Sequence, residues 1–443
     1  MLFNSFSFML FFPIVVLLHF ALPHKVRYLW LLVASYYFYM CWNPKYALLI
    51  AISTLITYTS GLLIGKESPK WLKKLWVFLS MSSNLAILFF FKYFDFFIEN
   101  VNRILSYVGM ELITPTFDVI LPVGISFYTF QALSYTMDVY RGEIYTEKNL
   151  FKYALFVSFF PQLVAGPIER SKNLLVQISQ RHYFDYERVK SGLLIMLWGF
   201  FMKLVIADRV AILVNTVYND YTNYMGIPLI LATIFFGIQI YCDFASYSAI
   251  AIGSAQVLGF RLMDNFKQPY FSRSITEFWR RWHISLSTWF RDYLYIPLGG
   301  NRKGTVRKYL HIMIVFLVSG LWHGANWTFV IWGFLHGAFQ VIGQITYPLK
   351  IKITDKLGIN REASSYKLGQ MLITFMLVNF AWIFFRAPSY TAAKGIIHNM
   401  TAQWNPWVFT DGSLYLLGLS QKSFCVAIGA VVILLCVSIA QYK

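Results

Sequence analysis

A chain of 443 residues that is 58% hydrophobic, 19% aromatic and only 13% charged carries more apolar surface than a water-soluble core can bury, and its mean hydropathy of +0.54 excludes an ordinary soluble enzyme. The formal charge of +18 would suggest nucleic acid in a soluble protein, but basic loops flanking membrane helices account for it, so no nucleic-acid partner is expected. The apolar runs are long and continuous, which excludes a β-barrel of alternating strands.

Spanning a hydrocarbon layer of roughly 30 Å takes about 20 apolar residues as helix. Runs at 6–22, 28–42, 46–65, 75–98, 119–139, 150–165, 191–217, 227–260, 309–325, 326–347, 368–386 and 422–441 predict an all-α polytopic protein of ten to twelve membrane helices. The stretch from Phe6 to Leu22 has neither a basic n-region nor a small-residue cleavage site, so it is read as the first span and not as a signal peptide. Lys25 and Arg27 follow it, the gap around Asn43 to Tyr46 holds only Lys45, the next holds Lys66, Lys70, Lys73 and Lys74, and Glu99 to Asp118 holds only Arg103. That alternation places the N-terminus outside a cell membrane crossed many times. Pro122, Gly124, Pro161, Gly166 and Pro167 interrupt apolar sequence and predict broken or re-entrant helices, tolerated at membrane depth only beside protein or water. The run from Ile227 to Phe260 is too long for one straight span and predicts a break around Gln239 to Ser248. With no internal repeat and no flexible linker, residues 1–443 read as one membrane domain. Cys41, Cys242, Cys425 and Cys436 are scattered without CxxC spacing and read as small core residues, not disulfides or metal ligands.

Within that domain, residues 261–308 hold ten basic side chains against Asp264, Glu277 and Asp292, interleaved with Phe278, Trp279, Trp282, Trp289, Phe290, Tyr293 and Tyr295. Charge alone fits a cytoplasmic loop; the aromatics fit short helices in or through the membrane interface. His283 lies in this segment, with Arg280, Arg281, Trp282 and Asp292 within nine positions of it. The cluster reads either as snorkelling side chains or as a site for an anionic or phosphate-bearing donor. His323, in SGLWHGANWTF, lies fifteen residues past Lys308, on the order of 22 Å up a helix. Neutral imidazole at that depth can take a proton from a hydroxyl and return it; the alternative is a histidine bonded to a neighbouring helix. Asn326, at i+3, is expected on the same helix face, and Gly320, Gly324 and Ala325 leave room beside the ring. His336 is expected to pack, and His19 and His24 to be interfacial. No GxGxxG, P-loop, HExxH or CxxC occurs, Ser126 in VGISFYTF does not complete a GxSxG elbow, and Asp138, Glu169, Asp208 and Asp243 are isolated carboxylates suited to pairing with cations or helix ends.

The stretches MLFNSFSF, LPVGISFYTFQALSYTMDVYRG, FPQLVAGPIER, QPYFSRSITEFWRRWHISLSTWFRDYLYIPLGGNRKG, SGLWHGANWTF and WIFFRAPS make the chain resemble the membrane-bound O-acyltransferases, and among them the bacterial branch similar to alginate O-acetyltransferase. The resemblance weakens after Ala387. It implies a ring of tilted membrane helices, with interfacial and re-entrant helices, around a central tunnel where cavities from the two sides of the membrane almost meet. It makes His323 the essential histidine and His283 the second, more variable catalytic position. It implies no metal and no permanently bound cofactor, but an acyl thioester co-substrate, acetyl-CoA or an acyl carrier protein. The expected partners are membrane lipid, that donor, a secreted polysaccharide as acceptor, and an extracytoplasmic serine-hydrolase-like acetyltransferase. Acetyl transfer to an alginate-like exopolysaccharide is the leading expectation. D-alanyl transfer to teichoic acid from a carrier protein is the second, and a transporter or flippase using the histidines as proton relays a distant third.

Overall fold

The computed structural model describes residues 1–114 and 121–442, and every regular element among them is helical. The far end of the Glu99 to Asp118 segment and the first two residues of the 119–139 run lie outside the described residues. Among the described residues, eight helices are long and apolar enough to cross a membrane: Pro44–Gly65, Lys70–Lys92, Tyr186–Asn219, Ile227–Leu258, Thr305–His323, Trp327–Lys356, Ser364–Arg386 and Gln421–Tyr442. This corrects the expected ten to twelve. The runs at 6–22, 28–42, 119–139 and 150–165 fold as helices of 16, 17, 17 and 9 residues, and 17 residues rise only about 25 Å. The protein is a multi-pass membrane protein.

The chain divides into two compact units, one of residues 1–198 and 247–263, the other of residues 199–246 and 264–443. In the first, polar side chains join helices where lipid offers them no partner. Ser53 Oγ donates to Asn84 Oδ1 at 2.6 Å, Tyr153 OH to Thr57 Oγ1 at 2.7 Å, and the Ser80 and Thr136 hydroxyls meet at 3.1 Å. The Ile125–Arg141 helix is buried along almost its whole length. It starts at Gly124, whose φ of 76° and whose approach to the Leu163 carbonyl exclude any Cβ. His19, expected at the interface, is buried within the protein at 1% exposure. Of the four cysteines only Cys242 is in the core; Cys41, Cys425 and Cys436 are exposed on apolar helices or beside them.

The second unit holds the predicted site residues. Its central feature is a helical hairpin, Thr305–His323 followed by Trp327–Lys356. The two helices pack backbone to backbone at Gly320 and Gly333, where an added Cβ would fall 2.3 Å from the Phe329 carbonyl oxygen and 2.2 Å from that of Phe316. Small residues at such crossings let dispersion contacts replace the hydrophobic drive that lipid cannot supply. The break expected between Gln239 and Ser248 is absent: Ile227–Leu258 is one helix of 32 residues. No proline interrupts it past Pro228, so its backbone ladder stays intact. Distortion falls instead on Phe201–Ala207, a π-helical stretch inside the Tyr186–Asn219 span. Lys203 and Asp208, five positions apart, do not share an α-helical face. The wider π turn aligns them, and Lys203 Nζ bridges Asp208 at 2.8 Å and Asp243 at 2.6 Å.

Candidate active site

Within the second unit, a cavity of about 430 Å³ is lined by Phe236, Gln239, Ile240, Asp243, Phe244, Trp282, His283, His323, Trp382, Phe385 and Arg386. The first five follow an i, i+3, i+4, i+7, i+8 spacing and form one stripe of the Ile227–Leu258 helix. The remainder come from a broken helix, the tip of the hairpin and the end of Ser364–Arg386. The volume and mixed lining are those of a site for a small polar ligand or for the reactive end of a larger one.

His283 stands between two seven-residue helices, Ile275–Arg281 and Ile284–Phe290, with left-handed φ and ψ of 45° and 55°. That conformation costs a non-glycine residue about 1–3 kcal/mol and persists only where the surroundings impose it. Asn265 does much of this: its carbonyl accepts from Ile284 N at 2.9 Å, and its Oδ1 accepts from Ser285 N at 3.2 Å and Ser285 Oγ at 2.9 Å. Lys267 N donates to the Arg281 carbonyl at 2.9 Å on the other side of the turn. Upstream, Ser274 Oγ caps the first helix by accepting from Glu277 N at 3.1 Å. The His283 ring packs with Phe244, Phe266 and Trp322 at centroid distances of 5.1, 6.4 and 6.0 Å. Burial pushes its pKa down to about 3, so it is neutral throughout the physiological range.

The sign of the pH effect follows. Between about pH 6.5, the ordinary histidine value, and about pH 3, the unfolded chain binds a proton at position 283 that the folded chain does not. The contribution of this group to stability is therefore present above the unfolded pKa and declines as pH falls through that window. His283→Gln, which has no titrating ring, is expected to lose less thermal stability than the wild type between pH 7.5 and pH 5 in detergent. Parallel acid limbs for the two proteins would contradict the burial argument.

His323 is the last residue of its helix. Its half-buried ring lies 4.8 Å from Trp322, 4.9 Å from Trp332 and 5.2 Å from Phe385, centroid to centroid. Trp322 touches both imidazoles, at 6.0 Å from His283 and 4.8 Å from His323. The helix stops because Gly324 is extended, at φ −169° and ψ 152°, and packs so close to the Phe329 ring that a Cβ there would lie 2.2 Å from it.

That ending corrects the expectation for Asn326. It does not share a helix face with His323; it caps the second arm of the hairpin, with Oδ1 accepting from Thr328 N at 3.0 Å and Nδ2 donating to the Pro388 carbonyl at 3.0 Å. Asn326→Ala is expected to cost about 1 kcal/mol of stability, read as a lower unfolding temperature, with Asn326→Asp recovering the cap but not the Pro388 bond. Trp282, His283 and His323 reach the cavity, whereas Arg280, Arg281 and Asp292 are absent from its lining. Arg280 is exposed. Arg281 binds Glu277 at 3.0 Å and stands over the Tyr442 ring at 5.0 Å, and Asp292 accepts from Arg291 Nε at 2.8 Å. His336 packs as expected, buried, with Nδ1 accepting from Trp279 Nε1 at 3.2 Å.

Gln239, Asp243, Trp382 and Arg386 line the cavity, a place the sequence reading did not assign to them. A signal existed for two of them: Gln239 and Asp243 are polar residues four apart on an otherwise apolar helix, hence on one face.

The fold and the cavity define an all-helical integral-membrane enzyme with two imidazoles at one internal site. Residues 37–385 match the membrane-bound O-acyltransferase family; the chain belongs to that family and is an O-acyltransferase. It is 41% identical over 395 residues to the probable alginate O-acetylase AlgI of Pseudomonas putida, covering 89% of this chain and 79% of that protein. It is 36% identical over 398 residues to the peptidoglycan O-acetyltransferase of Helicobacter pylori, covering 84% and 73%. Similarity to the teichoic acid D-alanyltransferase of Bacillus subtilis is lower, 27% over 238 residues, covering 51% and 60%.

Proposed function

We propose that the protein moves an acetyl group from a cytoplasmic thioester, acetyl-CoA or an acyl carrier protein, to a hydroxyl presented on the other side of the membrane, in the O-acetylation of a secreted polysaccharide. The observation that carries this reading is the placement of His283 and His323 on one cavity at the tip of a membrane hairpin. Similarity favours acetyl over D-alanyl transfer, since the acetylases named above are 36–41% identical and the D-alanyltransferase 27%.

In the proposed reaction His323 accepts the acceptor hydroxyl proton as its oxygen attacks the thioester carbonyl carbon. The tetrahedral oxyanion is steadied by the N–H of neutral His283, a donor already in place within a dry wall of aromatic rings. Collapse breaks the C–S bond, the leaving thiolate takes the proton from the His323 imidazolium, and the products are an O-ester and a free thiol. Trp282 and Trp382 exclude water that would otherwise hydrolyse the thioester. Membrane lipid surrounds the spans, and an extracytoplasmic serine-hydrolase-like partner is proposed to act on the same polymer, with the N-terminus on its side of the membrane.

The test is label transfer in membranes. Vesicles carrying the chain, given acetyl-CoA labelled in its acetyl group, are expected to accumulate alkali-labile label on polysaccharide above vesicles lacking the chain. No difference between the two, or transfer only of D-alanine from a charged carrier protein, would overturn the proposal.

A further inference from the structure

We propose that the first unit carries a binding site for an anionic phospholipid of the cytoplasmic leaflet, with the lipid phosphate held between Lys66 and Lys148 and an acyl chain laid along the Pro44–Gly65 span. The site takes no part in the acetyl-transfer reading above and stands without it.

A cavity of about 540 Å³ opens where that span ends, lined by Thr59, Leu62, Leu63 and Lys66 at its end and by Thr146 and Lys148 from the segment that follows the Ile125–Arg141 helix. The span buries one face, through Ile50, Ser53, Thr57, Gly61 and Ile64, and leaves Leu48, Ile52, Leu55 and Thr59 exposed. Three to four residues separate each exposed position from the next, so they form one stripe that runs down the helix and into the cavity. Thr59 Oγ1 donates to the Leu55 carbonyl at 2.7 Å, so the stripe presents no unmet donor to an acyl chain.

The polar end is built by packing. Gly65 approaches Thr146 so closely that an added Cβ would collide with its hydroxyl. Tyr58 OH donates to the Lys148 carbonyl at 2.6 Å, and Tyr135 OH accepts from Glu147 N at 3.1 Å. The Glu147 carboxylate turns back on its own segment and accepts from Asn149 N at 2.8 Å. Lys148 is thereby fixed across the groove from Lys66, and among the described residues neither lysine is ion-paired.

Two cations at the mouth of an apolar groove match a phosphodiester that carries acyl chains. A soluble anion would meet the lysines but leave the wall of Leu62 and Leu63 unused. The depth is right for a headgroup: Trp71 and Tyr145, in the two segments that meet here, are 66% and 99% exposed, as aromatic rings are at a membrane interface. Residues 66–74 and 141–152 hold seven basic side chains against three acidic ones. The positive-inside rule puts that end in the cytoplasm, on the leaflet where anionic lipids attract basic segments.

The experiment uses purified full-length protein in neutral detergent, given equal amounts of phosphatidylglycerol and phosphatidylcholine of identical chains, with retained lipid counted by native mass spectrometry. The wild type is expected to retain the anionic lipid about tenfold over the neutral one. Lys66→Gln with Lys148→Gln is expected to bring that ratio close to one. Lys350→Gln with Lys352→Gln, which removes the same charge from exposed positions of the second unit, is expected to keep it. Glycerophosphate and coenzyme A, which have no acyl chain of this kind, are expected not to displace the lipid. Equal retention of the two lipids by the wild type, an unchanged ratio in the Lys66 and Lys148 variant, or the same loss in both variants overturns the proposal. Displacement by glycerophosphate or coenzyme A would assign the lysines to a soluble phosphate, which also overturns it.

Discussion

Replacing His323 by glutamine is expected to lower acetyl transfer about 10²- to 10⁴-fold, the range supplied by a positioned general base. Glutamine is the better probe than alanine because the imidazole also packs against Trp322, Trp332 and Phe385, and truncation would confound chemistry with packing. The loss is expected in kcat, with the KM for acetyl-CoA little changed, as befits a group whose contribution arises in the transition state. Label transfer in membranes containing equal amounts of the two proteins measures it. Unchanged turnover would remove His323 from the reaction and, with it, the proposed proton path.

The second large effect is expected far from any proton. Gly333→Leu should open the hairpin, because even a Cβ at that position would meet the Phe316 carbonyl at 2.2 Å and the Gly320 Cα at 3.3 Å. Backbone atoms cannot rotate aside as a side chain would. Overpacking of this kind costs about 1–3 kcal/mol, and the displaced helix ends three residues later in His323. The variant should therefore show both a lower unfolding temperature and a large fall in acetyl transfer. Gly343→Ala, on the same helix with nothing within 4 Å of the added Cβ, is the control and should leave activity intact, with stability raised by about 0.5–1 kcal/mol from helix propensity. Equal behaviour of the two variants would show that the glycine crossing does not position the histidine.

The pairing of the two histidines was legible because each stood in a polar, aromatic-rich stretch of an apolar chain, where an ionisable group is expensive unless it faces a cavity or partner. The roles of their sequence neighbours were not. Arg280, Arg281 and Asp292 looked like parts of the site because they lie near His283 along the chain. A left-handed residue at 283 ends one short helix and begins another; Arg281 pairs with Glu277 beside Tyr442, Asp292 pairs with Arg291, and of the named neighbours only Trp282 is in the cavity lining. The stop at Gly324 changed the meaning of Asn326 in the same way.

Composition and the lengths of the apolar runs by themselves determined a helical, many-times-crossing protein, since lipid leaves backbone polar groups no partner but the helix itself. The motifs around positions 283 and 323 marked two histidines that line one cavity. Tertiary packing alone decided that Lys203 neutralises Asp243 across forty positions, and that Arg386, held by Asn215 and Asn219, lines the same cavity as His323. The physical reason is one of range. Hydrophobic length and periodicity are summed along the local chain, whereas the partner of a buried charge is chosen by which helices meet, and that choice is made by close backbone approaches such as Gly320 against Gly333.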